Sequence, residues 1–269
     1  MPSAMSIHFE SDHPFIAVPL EGETIQDLQI QIASIVEKPY DMMAFDAGYF
    51  NGAVNLSQLW NALLYIAREA AHPSILFSCD KSRLPEMYQT DRDYGSILRF
   101  AIRSSLIDAV QIEGSLDADS VEDIAGQAVD LGCVPIIVIR GEKGAKAADL
   151  AAMMEDRWDL EAVTFELVAP VETPADIDEM KAAAKAFTEK HSEAHVIVHP
   201  VGPAAKEALL KGDTFGSSIL YAAAGDKGCV SGSVRQDFQQ GRKLLAISIF
   251  YIDCRDSKRN PRGDGACTG

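Results

Sequence analysis

The sequence predicts an α/β chain, a single-domain (β/α)8 barrel. Three observations predict it. Short β-branched or apolar runs alternate with amphipathic helical segments eight times. Each run is too short for a typical helix and is bounded by turn residues. The chain has 269 residues, close to the roughly 250 that such a barrel needs. Eight βα units imply a parallel sheet, and right-handed crossovers allow it to close. An open doubly wound sheet is the alternative compatible with the same alternation.

The strand candidates are, in order, FIAVPL (15–20), DMMAFDA (41–47), SILFSCD (74–80), AVQIEG (109–114), VPIIVIRG (134–141), AVTFELVA (162–169), HVIVHPVG (195–202) and SSILYAAA (217–224). Between them, Leu56, Leu59, Trp60, Leu63, Ile66 and Ala67 fall on one helical face. Ile177, Met180, Ala184 and Phe187 do the same, after Pro174 at a first helical position. Ser120 is expected to open a helix with acids in its first turn and Gly132 at its end. The domain reading is an N-terminal segment 1–14, a barrel 15–252 and a polar tail 253–269, expected to be disordered. The RGD within that tail is read as three common polar residues, not a motif.

Composition narrows the function. Forty acidic residues against 24 basic ones give a net charge of −16, which disfavours phosphate backbones and anionic membranes. Neither nucleic acid nor membrane is an expected partner. The five cysteines (Cys79, Cys133, Cys229, Cys254, Cys267) form no C-x-x-C pair, as expected for reduced thiols in a cytoplasm. The N-terminus has neither a basic start nor a long apolar run, so it does not read as a signal peptide. No apolar stretch approaches the ~20 residues of a membrane span.

Five segments carry a resemblance: VPLEGET (18–24), DMMAFDAGYF (41–50), ILFSCDKS (75–82), VQIEGSL (110–116) and GDTFGSSILYA (212–222). In order and spacing they resemble type I 3-dehydroquinate dehydratase, from about residue 15 to 245. The resemblance implies a (β/α)8 barrel, a homodimer, and dehydration of 3-dehydroquinate through a lysine Schiff base. Position by position, however, the implied chemistry is absent. The family's second strand runs D-x-x-E-W-R-x-D; here its glutamate is Ala44, its arginine Asp46 and its last aspartate Gly48. The substrate-holding arginine of the third strand aligns with Asp80. The general acid–base histidine of the fifth strand aligns with Gly141. The Schiff-base lysine falls on Phe165 or Glu166, depending on a one-residue shift. A late arginine becomes Leu209, and the lid S-A-P-G-Q becomes CVSGS, from Cys229 to Ser233. Glu113 is the one acidic family-like position retained.

Only an amine attacks a ketone to give an imine, and glycine offers no base for the proton abstraction that follows. The expected function is therefore a non-catalytic binding or interaction protein with an unidentified small-molecule or protein ligand. Asp46, Asp80, Glu113, Glu166 and His199 are the candidate barrel-mouth pocket, because strand ends at the C-terminal face carry the sites of such barrels. Oxygen ligands with one imidazole suit Mg2+ or Mn2+, or an amine-bearing ligand, and a metal-assisted lyase is the alternative function. An active dehydratase is the remaining one. Cys79 is expected to point into the helix layer, Cys229 to lie in the lid, and Lys143 of GEKGAK to face solvent.

Overall fold

The computed structural model describes residues 14–36, 40–69, 74–158, 164–210 and 213–221. The strands are β1 (Phe15–Leu20), β2 (Met42–Asp46), β3 (Ser74–Ser78), β4 (Ala109–Glu113), β5 (Val134–Arg140), β6 (Thr164–Pro170), β7 (His195–Val201) and β8 (Ile219–Tyr221). The helices between them are α1 (Ile25–Ile35), α2 (Leu56–Glu69), α3 (Asp91–Arg103), α4 (Ala118–Asp130), α5 (Ala147–Glu155), α6 (Pro174–Lys190) and α7 (Pro203–Leu210). The strands form one parallel sheet in the order β7-β6-β5-β4-β3-β2-β1-β8. The sheet curls into a nearly closed TIM-type barrel. At the β7–β8 seam, the Ser217 hydroxyl accepts from the Val198 N–H at 3.1 Å and donates to the Ile219 carbonyl at 2.6 Å.

Strand alternation divides the core in two. Ala17, Met42, Ala44, Leu76, Ala109, Ile136, Ile197 and Ile219 form an apolar plug inside the barrel. Their neighbours along each strand, such as Leu20, Phe45, Phe77, Val110, Ile137 and Phe165, pack outward against the helices. Phe187 of α6 is fully buried, with its ring 5.2 Å from Phe165 and 5.5 Å from Trp158. Phe187→Ala should therefore cost about 3–5 kcal/mol, read as a lowered urea midpoint with an unchanged slope.

Local signals differ from the sequence reading at two helices. Helix α4 starts at Ala118, before Ser120, because the Asp117 carboxylate caps it by accepting from the Ser120 N–H at 2.8 Å. Gly132 follows that helix with φ +74°, a conformation that strains residues bearing a Cβ. The buried face of α2 is Leu59, Ala62, Leu63 and Ile66, leaving Leu56 and Trp60 at the solvent edge. Pro174 does open α6, where the Asp176 carboxylate accepts from the Thr173 N–H at 2.8 Å. Among the described residues no helix is long and apolar enough to cross a membrane. The tail 253–269 and all but the last residue of segment 1–14 lie outside the described residues.

Candidate active site at the barrel mouth

Glu166 is the inward residue of β6. Phe165 and Leu167 belong to the outer core, whereas Glu166 meets side chains from three other strands. One carboxylate oxygen lies 2.7 Å from His199 Nδ1 on β7. The other accepts from the Tyr221 hydroxyl of β8 at 3.0 Å and from the Gln111 amide of β4. The same amide lies 2.8 Å from the Tyr221 hydroxyl, and the His199 ring stacks on Tyr221 at 4.7 Å. Burial and then the Glu166 charge push the Tyr221 phenol well above its ordinary range, so it remains a donor. Both carboxylate oxygens of Glu166 are thus engaged, which ties four strands together.

Above this cluster, Arg140 ends β5 and reaches Glu113 at the end of β4. Its Nε lies 2.9 Å from one carboxylate oxygen and Nη2 lies 2.5 Å from the other. Burial works against this guanidinium. Its bonds to Glu113, and the charges of Glu113, Asp80 and Glu166, nonetheless hold it above the usual arginine range. Among the described strand residues, Arg140 is the only Lys or Arg.

The third group closes the mouth over β1, β2 and β3. Asp46 is buried and accepts from the backbone N–H of Gly48 at 2.8 Å and of Asp80 at 3.1 Å. Asp80 caps the short 3-10 turn Lys81–Arg83, accepting from the Ser82 N–H at 2.9 Å and its hydroxyl at 2.7 Å. Arg83 lies 3.4 Å from Asp80, donates to the Tyr49 hydroxyl at 2.8 Å, and sits 3.7 Å from the centre of that ring. Glu21, just past β1, is also buried. Burial first, then the charge of Asp46, raises it to about 7 despite the opposing pull of Arg83.

The acids named from the sequence therefore divide among separate partners. Asp46 and Asp80 hold backbone turns, Glu113 binds Arg140, and Glu166 binds His199. Among the described residues no group of three or more His, Cys, Asp or Glu is arranged to hold a metal ion. Gly141 faces away from the mouth: a Cβ there would lie 2.5 Å from Leu150 of α5. The inward residue ending β5 is Arg140, and the inward choice between Phe165 and Glu166 is Glu166. Leu209 is buried in the helix–strand layer and Ala44 in the inner plug. Cys79 packs in the outer core, where burial raises its thiol, and Lys143 pairs on the surface with Glu172 at 2.7 Å. Cys229 and Ser233 lie outside the described residues.

Sequence reasoning passed over Glu21, Arg83, Gln111, Arg140 and Tyr221. Parity along β4 and β5 was the available signal for Gln111 and Arg140. Nothing local marks Tyr221, whose partners Gln111 and Glu166 stand 110 and 55 residues away in the chain.

The family model for type I 3-dehydroquinase matches residues 16–245. The chain belongs to that family. The 3-dehydroquinate dehydratase of Klebsiella pneumoniae is 23% identical over 82% of this chain and 88% of its own length. That of Lactiplantibacillus plantarum is 22% identical over 82% and 88%. Among solved structures, the type I 3-dehydroquinate dehydratase of Clostridium difficile superposes with a TM-score of 0.73 at 15% identity, over 82% and 87% of the two chains. A 3-keto-L-gulonate-6-phosphate decarboxylase of Vibrio cholerae superposes with a TM-score of 0.54 at 14% identity, over 80% and 92%. At such identities the superpositions speak for the fold alone. Within the type I 3-dehydroquinase barrel, this chain places a carboxylate at the inward position of β6, and no described strand carries a lysine.

Proposed function

We propose that this barrel has lost Schiff-base dehydration of 3-dehydroquinate and works as a non-catalytic binding or interaction protein. Glu166 carries the reading. It occupies the inward β6 position at which the family resemblance implies an amine, and His199, Tyr221 and Gln111 engage both of its oxygens. A carboxylate forms no imine. At the end of β5 the inward group is a guanidinium, which stays protonated and cannot abstract a proton. Asp46 and Asp80 stand where the resemblance implies substrate-holding cations, and they repel a carboxylate substrate. Partitioning of the acids among separate partners supports binding over a metal-assisted lyase. A homodimer, implied by the resemblance, and a cytoplasmic location, expected from the unpaired cysteines, belong to the same proposal.

The assay is turnover. Purified protein with 3-dehydroquinate should give no rise in dehydroshikimate absorbance above buffer, since a general base alone contributes ~10²–10⁴ in rate. Product formation that is abolished by chelators would favour the metal-assisted alternative; chelator-insensitive turnover would restore the active dehydratase.

A further inference from the structure

Glu21 is more than nine-tenths buried, being 8% exposed, yet its carboxyl accepts no hydrogen bond among the described residues. Its backbone is fixed, since the Glu21 N–H donates to Gln31 Oε1 of α1 at 3.1 Å. Ala17 lies in the inner plug and Val18 and Leu20 in the outer core, so the alternation aims Glu21 into the mouth, beside Asp46. A buried carboxyl without donors is costly to keep and is built to receive one.

The surrounding charges select the donor. Asp46 and Asp80 have oxygens engaged by backbone N–H groups, and Arg83 donates to Tyr49 and lies 3.4 Å from Asp80. With all four ionised, the described groups Glu21, Asp46, Asp80 and Arg83 carry a net negative charge, which favours a cation over an anion. A primary ammonium brings three N–H donors and one positive charge on a compact head. We propose that the β1–β3 sector of the mouth binds a protonated primary amine, with Glu21 as the carboxylate that receives it. Glu21 must be ionised to do so, and it titrates at about 7. Amine affinity should therefore fall about tenfold per pH unit below that value and level off above it. This site does not depend on the fate of the Schiff-base chemistry, because neither dehydroquinate nor a lysine takes part.

The test follows the Gly22 and Gly48 amide signals of the full chain while ethylammonium chloride is added. Tetramethylammonium chloride, which has no N–H donor, serves as the control at matched ionic strength. Saturable shifts are expected with ethylammonium alone, with affinity about tenfold lower one pH unit below the Glu21 titration. Glu21→Gln should weaken binding at least tenfold and remove the pH dependence, whereas Glu172→Gln, on the far surface pair with Lys143, should change neither. A native-like amide spectrum shows that each variant is folded. Equal responses to the two salts, an unchanged Glu21→Gln titration, or no saturation at any pH would each overturn the proposal.

Discussion

Glu166→Lys is expected to give a protein that is far less stable than its parent and still inert toward 3-dehydroquinate. The substitution removes the acceptor that His199, Tyr221 and Gln111 share, and replaces it with a group that only donates. It also turns an attraction to Arg140 into a repulsion. The site is 1% exposed, so the new charge is buried without a partner. Breaking such an arrangement from one side costs about 3–5 kcal/mol, read as a lowered denaturant midpoint. Glu166→Gln keeps one acceptor oxygen and should lose much less. Activity should not return with the lysine, because Arg140 still stands where a base is needed, and Asp46 and Asp80 still oppose the carboxylate. Dehydroshikimate formed by Glu166→Lys would show that the missing amine was the only defect.

Glu21→Gln should stabilise the protein, and by an amount that depends on pH. The folded carboxyl titrates at about 7 against 4.5 for the free group, so the folded chain holds a proton that the unfolded chain releases. The parent is therefore disfavoured as pH rises from about 4.5 to about 7, while the amide variant is not. Below that window the two should respond to pH alike. Above it the variant should have gained about 3 kcal/mol relative to its low-pH difference. Because Glu21 is only 8% exposed, little of this is lost to solvent screening. Urea midpoints of both proteins across the window decide it. A difference that is flat, or that shrinks as pH rises, would place the Glu21 carboxyl in a better solvated setting than its burial indicates.

The fold was legible because each barrel strand is short, β-branched or apolar, and bounded by turns, and β1 through β7 begin and end within two residues of the runs read from the sequence. The site was less legible for a reason tied to strand period. A one-residue shift moves every side chain to the opposite face. That is why Phe165 and Glu166 stayed undivided, and why Gly141 was read in place of Arg140. Charge compensation was hidden more deeply. Arg140 binds Glu113 across two adjacent strands, and Arg83 reaches Tyr49 from a different loop. A list of acids at strand ends therefore overstated how far they converge. Glu21 was passed over because it follows a strand and looks like one more surface acid. Only its neighbours reveal the burial.

No lysine of this chain is expected to form an imine with 3-dehydroquinate. Incubating the purified protein with 3-dehydroquinate, adding borohydride and measuring the intact mass tests it most directly, because reduction makes any imine permanent. The expected result is the mass of the unmodified chain. A stable adduct mapped to a lysine, accompanied by dehydroshikimate, would contradict it.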